Sequence, residues 1–299
     1  MPSSVLFIVC VLVWGTTWFA ILYQLEAIAP GAGVALRFTL AALAVALWAW
    51  WRGENLRLPV RLHRWFALQG LAGFALAYWC VYEAERHVVT GLVAVGYAAS
   101  PLLNMVLARW LLGSPMSRRV AIGGVAGVGG VVMIFWHEFA RLAASPSVLT
   151  GAALTAAAVL MSSVSSLCAA HYHRQQVSGP APLAWAMGYG ALCMALLSLA
   201  SGESWTLRWS AAFGWSLAYL VLAGSVLAFG SYYALMKRIG PARAAYVGVS
   251  TPVVAMTVSM LFEGYRPEAL AVAGALLAVA GNVWALWPQR AGPSIKAPA

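Results

Sequence analysis

Ten runs of about twenty mostly apolar residues divide the chain, and this feature constrains its fold more than any other. A transmembrane helix needs about 20 apolar residues to cross the hydrocarbon core of a bilayer. Because 63% of the residues are hydrophobic and 9% are charged, the runs cannot be enclosed by a water-soluble surface. The sequence therefore predicts an all-α integral membrane protein with ten transmembrane helices. The runs cover approximately residues 5–23, 31–51, 65–83, 88–112, 119–136, 148–170, 182–200, 213–236, 243–262 and 268–287.

Lys and Arg residues are distributed unevenly between alternate connectors. If the N-terminus is cytoplasmic, the connectors on that side hold thirteen Lys and Arg residues, and the opposite connectors hold four. Cytoplasmic loops of membrane proteins carry such an excess. Both termini are therefore expected in the cytoplasm. Arg37 is the one apparent charge within the membrane, where it either binds a carboxylate or pairs with backbone carbonyls or a neighbour.

A sequence repeat relates the two halves of the chain. LAGFALA at residues 71–77 recurs as LAGSVLA at 222–228, and extending this register without a gap gives fifteen identities in sixty-six positions. Each half then holds five helices, an odd number, so the second half must enter the membrane from the opposite side. The sequence predicts an inverted 5+5 repeat of residues 1–137 and 148–287, followed by a cytoplasmic tail of residues 288–299. Inverted repeats are the usual architecture of secondary transporters.

Two prolines mark a candidate substrate site. Pro101 and Pro252 occupy equivalent positions near the middle of the fourth and ninth predicted helices. A proline within a helix is expected to leave the carbonyl four residues earlier, here at Tyr97 and Gly248, without its helical partner. Paired breaks at membrane depth point to a transport site. A kink needed only for packing is the alternative.

Polar and aromatic side chains near these breaks extend the predicted site. Asn104 suits a zwitterionic head group, although an interhelical hydrogen bond is an equal alternative. Trp14 lies at the middle of its helix, where an indole can stack on a flat solute, and Ser165 lies opposite it in the repeat register. Tyr82 and Tyr233, near the outer and inner ends of their helices, are predicted gate residues. The full predicted substrate site is Trp14, Tyr78, Tyr82, Tyr97, Ser100, Pro101, Asn104, Ser165, Tyr233, Tyr246, Ser250, Thr251 and Pro252.

The order of several short motifs resembles the EamA-type family of the drug/metabolite transporter superfamily. The motifs are WGTTWF at 14–19, LRFTLAAL at 36–43, YAASPLLNMVLARWLLG at 97–113 and VSTPVVAMTVSMLFEG at 249–264. The resemblance covers about residues 5–287 and implies a transporter of the inner (plasma) membrane. Within the family, the chain resembles the subfamily of amino acid exporters whose solutes include aromatic amino acids.

The expected function is export of small amino acid-like solutes, including Trp, Phe and Tyr, by alternating access through a central cavity. All eight acidic residues are Glu and lie at or beyond the ends of the predicted helices, so facilitated transport without proton coupling is expected. The alternatives are another small solute or a cationic drug, or a channel or membrane scaffold.

Several further properties are expected from the sequence. No catalytic group, metal spacing or cofactor motif is present, and the scattered basic residues do not indicate nucleic acid binding. The partners are therefore a small solute and the lipid bilayer. A Gly123-x-x-x-Gly127 face is expected to pack the fifth helix within its own half, or else to support a weak homodimer of an otherwise monomeric protein.

Overall fold

A computed structural model of the protein describes residues 1–88, 90–134, 136, 146–262, 266 and 268–286. Within these ranges the chain forms helices and connecting turns, and no strand. The end of the first predicted repeat at residue 137, Trp287 at the end of the second, and the predicted tail 288–299 lie outside the described residues.

The helices follow the predicted apolar runs in order. The first five are α1 (Ser3–Leu25), α2 (Pro30–Trp51), α3 (Val60–Ala84), α4 (residues 90–112) and α5 (Arg118–Ile134). The next five are α6 (Pro146–Arg174), α7 (Pro180–Ala200), α8 (Ala211–Ile239), α9 (Pro241–Phe262) and α10 (Ala269–Leu286).

Four of these helices are interrupted. α3 consists of Val60–Gln69, a π-helix Gly70–Leu76 and Ala77–Ala84, and α8 consists of Ala211–Val221, a π-helix Leu222–Leu227 and Ala228–Ile239. α4 consists of Thr90–Gly96, a 3₁₀ turn Tyr97–Ala99 and Ser100–Leu112, and α9 consists of Pro241–Ala244 and Val247–Phe262.

Seven helices among the described residues are long and apolar enough to cross a membrane, namely α1, α2, α3, α6, α7, α8 and α9. The other three helices are shorter within the described residues. The 3₁₀ turn divides α4, so that its apolar part Ser100–Leu112 has 13 residues, and α5 and α10 have 17 and 18 residues. The structure is therefore that of an all-α membrane protein, and ten membrane crossings remain a prediction.

Large apolar side chains cover the outside of the helix bundle. Trp50 at the end of α2 is 70% exposed, and Trp215 near the start of α8 is 78% exposed. Leu43 and Leu47 on α2 are also exposed. An apolar surface of this extent is stable in lipid and would associate in water. Trp residues near the helix ends are typical of the membrane interface.

The helices pack in pairs that join the two halves of the chain. α2 packs against α7, and α5 packs against α10. α1 contacts α8 and α9, and α6 contacts α3 and α4. No helix of one half is therefore enclosed by helices of its own half alone.

The two π-helices coincide with the repeated heptads. Gly70–Leu76 contains most of LAGFALA, and Leu222–Leu227 contains most of LAGSVLA, so the two segments occupy the same register of the repeat. A π-helix holds one extra residue in the turn and commonly marks a functional site. Gly73 lies against Ser165 of α6, and a Cβ atom on Gly224 would lie 2.8 Å from Thr17 of α1. The heptads are therefore places where α6 and α1 closely approach α3 and α8.

Small residues also bring α5 and α10 together. A Cβ atom on Gly123 would lie 2.7 Å from the carbonyl oxygen of Gly281, and Gly127 packs on Val249 of α9. The expectation that the Gly123-x-x-x-Gly127 face packs within its own half is wrong, because α9 and α10 of the second half cover it. Contact between backbones at this distance leaves no space for a side chain.

We expect Gly123→Ala to destabilise the protein by about 1–3 kcal/mol, because the added methyl group meets backbone atoms that cannot move aside. Gly129→Ala on the same helix is the matched control, since the nearest atom to its Cβ would be 4.0 Å away. The midpoint of thermal unfolding in detergent measures both. Equal midpoints for the two variants would contradict the close α5–α10 crossing.

Candidate functional site

A central cavity lies between α1, α3, α4, α6, α8 and α9 and has a volume of about 100 Å³. It extends from the depth of Tyr233 toward Ile21 and Val81, near the ends of α1 and α3. Its lining residues are Trp14, Thr17, Trp18, Ile21, Gly73, Phe74, Tyr78, Val81, Tyr97, Ser100, Asn104, Ser162, Ser163, Ser165, Ser166, Phe229, Tyr232, Tyr233, Ala245, Gly248 and Thr251. No charged side chain is among these described lining residues.

Aromatic rings form most of the apolar wall. The Trp14 ring lies 5.0 Å from Phe229 and 5.2 Å from Tyr232, measured between ring centroids. Phe229 stacks on Tyr233 at 5.9 Å. On the other side of the cavity, Trp18 meets Tyr97 edge to face at 5.6 Å. Such rings offer flat surfaces for stacking with another aromatic group.

Three buried polar atoms in the cavity wall make no hydrogen bond within the described part of the chain. They are Oδ1 of Asn104, Nε1 of Trp18 and Oγ of Ser163. Asn104 is 1% exposed. An unpaired buried polar atom costs about 1–3 kcal/mol, so such atoms call for a water or a ligand. Together they offer an acceptor, a donor and a hydroxyl group that can act as either.

The helix interruptions near Pro101 and Pro252 meet at the cavity. The 3₁₀ turn Tyr97–Ala99 comes directly before Ser100 and Pro101, and α9 is interrupted before Val247. A Cβ atom on Gly248 would lie 2.7 Å from the carbonyl oxygen of Tyr97. The expectation of a bare Tyr97 carbonyl is wrong, because this oxygen accepts a hydrogen bond from the Ser100 N–H across the 3₁₀ turn. The tighter turn supplies the donor that Pro101 cannot.

Trp14 holds one π-helix in place. Its indole Nε1 donates a hydrogen bond of 3.1 Å to the carbonyl oxygen of Gly224. In the same π-helix, the hydroxyl of Ser225 donates to the carbonyl oxygen of Leu220 at 2.8 Å. Side chains thus pair with carbonyl groups of α8 around the point where its regular hydrogen-bond pattern changes.

Arg37 lies behind this wall and outside the cavity lining. It is 0% exposed, and its Nε donates to Oγ of Ser225 at 3.2 Å. Its guanidinium group lies 4.7 Å from the centroid of Tyr78, which lines the cavity. The side chain therefore links α2 to the π-helix of α8 and to α3 through hydrogen-bonding and cation–π contacts.

Eight of the thirteen residues predicted for the substrate site line the cavity. They are Trp14, Tyr78, Tyr97, Ser100, Asn104, Ser165, Tyr233 and Thr251. The other five lie elsewhere in the bundle, namely Tyr82, Pro101, Tyr246, Ser250 and Pro252. Tyr246 donates a hydrogen bond of 2.7 Å to the Val120 carbonyl, which joins α9 to α5, and Tyr82 is fully buried.

The sequence interpretation missed several lining residues. Trp18 is one helical turn from Trp14, and Phe229 is one helical turn from Tyr233, so helical spacing from a predicted site residue would have identified both. Tyr232 is the sequence neighbour of Tyr233, and helical spacing from Tyr233 does not identify it. Ser162, Ser163 and Ser166 also line the cavity, and no signal in the sequence distinguishes a packing serine from a cavity serine.

A second space, here called the inner vestibule, opens at the helix ends on the far side of Tyr233. It has a volume of about 580 Å³ and is formed by the ends of α4, α6 and α8 and the start of α9. His173, Arg174, Lys237 and Arg243 are among its lining residues. These residues lie at the helix ends that the distribution of Lys and Arg predicts to face the cytoplasm.

Comparison with known proteins agrees with this architecture. Residues 1–136 and 149–287 match the model of the EamA-like transporter family. The chain is 28% identical to the uncharacterised inner membrane transporter YedA of Escherichia coli (strain K12) over 248 residues, which are 82% of this chain and 78% of YedA. It is 26% identical to protein PecM of Dickeya dadantii (strain 3937) over 256 residues, or 84% and 80% of the two chains.

One solved crystal structure superposes with a TM-score of 0.76 over 95% of this chain and 96% of the other, at 18% sequence identity. At this identity the likeness shows a shared fold. The apolar bundle, its interrupted helices and its central cavity define a multi-pass membrane transporter. The chain belongs to the EamA-like transporter family and is a protein of the inner membrane.

Trp14 and Trp18 allow a matched test of which indole in the cavity wall makes a hydrogen bond. We expect Trp14→Phe to lower the stability of the substrate-free protein by about 1 kcal/mol, because it removes the hydrogen bond to Gly224. Trp18→Phe makes the same chemical change but removes an indole nitrogen that is already unpaired, so it should cost less. Thermal unfolding in detergent compares them. A larger loss for Trp18→Phe would contradict these roles.

Proposed function

We propose that this transporter exports small, net-neutral metabolites, above all amino acids including Trp, Phe and Tyr, by alternating access through the central cavity. The observation that carries the proposal is the composition of the cavity wall. Aromatic rings surround the space, three buried polar atoms are unpaired, and no charged side chain is among the described lining residues. This combination suits a solute with an apolar body and a polar, net-neutral head.

Asn104 is the proposed contact for the amino acid head group. Its unpaired Oδ1 can accept a hydrogen bond from an ammonium group, and its amide nitrogen can donate to a carboxylate. The hydroxyl of Ser163 and the indole of Trp18 offer further contacts on the opposite wall. The rings of Trp14, Tyr78 and Phe229 are placed to receive an aromatic side chain.

The volume of the cavity supports a transport cycle with helix movement. A cavity of about 150 Å³ holds benzene, and the central cavity measures about 100 Å³. An aromatic amino acid therefore requires the surrounding helices to separate. Alternating access supplies such a separation, first toward one side and then toward the other.

We propose the ten-helix 5+5 inverted arrangement, with residues 1–137 and 148–287 as the two repeats and both termini cytoplasmic. Its support is a set of reciprocal contacts in the repeat register of 151 residues. Trp14 of the first half contacts Gly224 of the second, and their counterparts Ser165 and Gly73 contact each other as well. The pairing of α1 with α8 and α9 is matched by that of α6 with α3 and α4.

Glycine residues of α5 and α10 form a second set of reciprocal contacts. Gly123 approaches the backbone of Gly281, and their counterparts Gly274 and Gly130 also approach each other. Reciprocal contacts are what a two-fold axis between the halves produces. Two halves related in this way can exchange conformations, which is the basis of alternating access in inverted-repeat transporters.

We propose that transport is facilitated and is not coupled to protons, because the cavity wall supplies no acidic residue or His among its described members. The alternatives are export of another small solute or a cationic drug, and a channel or scaffold role. A cationic drug would find aromatic rings for cation–π contacts but no carboxylate in the described cavity wall.

Substrate counterflow with purified protein in liposomes tests the function. We expect vesicles loaded with unlabelled Trp, Phe or Tyr to accumulate the labelled amino acid transiently and saturably, with no pH gradient across the membrane. Asn104→Leu should raise the apparent KM by about 5–150-fold, the range for a lost polar contact of about 1–3 kcal/mol.

Asn55→Leu is the matched control, since it makes the same change in the connector between α2 and α3. Flux that does not saturate would indicate a channel. Absence of flux for all three amino acids would overturn the proposed substrate, and strict dependence on an imposed proton gradient would overturn facilitated transport.

Two single-cysteine variants test the proposed orientation. Ser178→Cys lies in the connector between α6 and α7, and Ser204→Cys lies in the connector between α7 and α8. With the native cysteines replaced, we expect a membrane-impermeant thiol reagent to label Ser204→Cys in intact cells, and Ser178→Cys only in inside-out vesicles. The opposite pattern would invert the proposed topology.

A further inference from the structure

A buried hydrogen-bonded cluster joins three helices below the central cavity. Nε2 of Gln69 on α3 donates to Oη of Tyr233 on α8 at 2.8 Å, and Oη of Tyr172 on α6 donates to Oε1 of Gln69 at 2.9 Å. Gln69 is 0% exposed and Tyr172 is buried beside it. These three residues are here called the inner latch. One amide thus holds the hydroxyl groups of two other helices.

The inner latch separates two spaces. Tyr233 lines the central cavity, whereas Met236, one turn further along α8, lines the inner vestibule. His173, the neighbour of Tyr172, also lines the vestibule, and its ring lies 6.2 Å from that of Tyr233. A solute that moves from the vestibule to the cavity must therefore pass the layer that the inner latch occupies.

The equivalent positions at the opposite end of the bundle lack an amide that joins two tyrosine hydroxyls. One turn beyond them, the buried Gln24 of α1 donates to Ser216 and to the Phe213 carbonyl, a contact with α8 alone. In the register of 151 residues, the counterparts of Gln69, Tyr172 and Tyr233 are Leu220, Ile21 and Tyr82. Leu220 and Ile21 are buried and have no hydrogen-bonding side chain. An amide that joins two tyrosine hydroxyls therefore exists at the vestibule end alone among these equivalent positions.

We infer that the inner latch is the cytoplasmic gate of the transport cycle and that Gln69 is its positioning residue. This inference rests on the proposed function, because a gate has meaning only if the cavity opens alternately to the two sides. In the described conformation the latch is closed, and the cavity is separated from the vestibule. Opening toward the cytoplasm requires Tyr233 on α8 and Tyr172 on α6 to leave the Gln69 amide.

The chemical difference between the two ends biases the cycle. At the vestibule end, closing forms two buried hydrogen bonds that join α3 to α6 and α8. At the equivalent positions of the opposite end, Leu220 and Ile21 can form only apolar contacts. The latch therefore favours the state that is closed to the cytoplasm in the absence of substrate. A population shift of this kind can be measured directly, without measuring transport.

Sided labelling of a cysteine in the cavity measures this shift. The reporter is Ser163→Cys in a variant without native cysteines, because the Ser163 hydroxyl makes no hydrogen bond among the described residues and its loss breaks none. An impermeant thiol reagent is added to spheroplasts or to inside-out vesicles. We expect Tyr233→Phe to raise the labelling rate from the cytoplasmic side about fivefold, the factor that corresponds to about 1 kcal/mol.

Gln69→Met should raise this rate further, because it removes both hydrogen bonds at similar side-chain volume. Adding Tyr233→Phe to Gln69→Met should then have no additional effect, since the bond is already lost. Tyr172→Phe gives an independent test should Gln69→Met fail to insert. Tyr219→Phe is the matched control, because it removes a hydroxyl that joins α8 to α1 and belongs to neither gate.

Unchanged labelling rates in Tyr233→Phe and Tyr172→Phe would overturn the gate, as would additive effects in the double variant or an equal shift in Tyr219→Phe. These outcomes are distinct from failure of the proposed function. If amino acid counterflow fails while the labelling rates still shift, the proposed gate is supported and the proposed solute is overturned. If counterflow succeeds while the labelling rates do not shift, the proposed transport function is supported and the proposed gate is overturned.

Discussion

The close crossing of α1 over α8 and of α6 over α3 is the contact on which the rest of this structure depends. At both crossings a glycine of a π-helix removes the side chain that would keep the helices apart, Gly224 beneath Thr17 and Trp14, and Gly73 beneath Ser165. In lipid there is no hydrophobic force between helices, so close packing and hydrogen bonds must hold them. Trp14 supplies such a bond to the Gly224 carbonyl, which the local change of helical pattern makes available.

The same crossings define the central cavity. α1 and α6 form two of its walls, and two lining residues next to the crossings, Trp18 and Ser163, have buried polar atoms without a hydrogen-bond partner in the described part of the chain. A transporter must bind its solute without binding it too tightly to release it. A wall of aromatic rings with a few unpaired polar atoms and no described charge meets both needs, since no ion pair must be broken at release.

The reciprocal contacts and the unequal gates belong together. In the proposed inverted arrangement, a near two-fold relation between the halves would make the two end states similar in packing. The hydrogen bonds of Gln69 with Tyr172 and Tyr233 would then strengthen one of the two proposed gates. Sequence repeats alone would have predicted equal gates, because Tyr82 and Tyr233 are the conspicuous matched pair. The difference lies in the neighbouring positions. In the repeat register, Leu220 corresponds to Gln69, which has an amide, and Ile21 corresponds to Tyr172, which has a hydroxyl group.

The sequence by itself determined the class of fold, the family and eight of the twenty-one residues that line the cavity. Apolar runs in lipid must form helices, and Trp14, Asn104 and Tyr233 stand out from an apolar background. It did not determine that LAGFALA and LAGSVLA form π-helices, since the hydrogen-bond pattern of a helix depends on what packs against it. It placed the Gly123 face in the wrong half for the same reason. Only the tertiary structure decided which hydroxyl groups meet: Tyr246 reaches a backbone carbonyl of α5, while Tyr233 reaches Gln69 across the bundle. Distances between helices are set by packing of whole surfaces, and that information is not local to any motif.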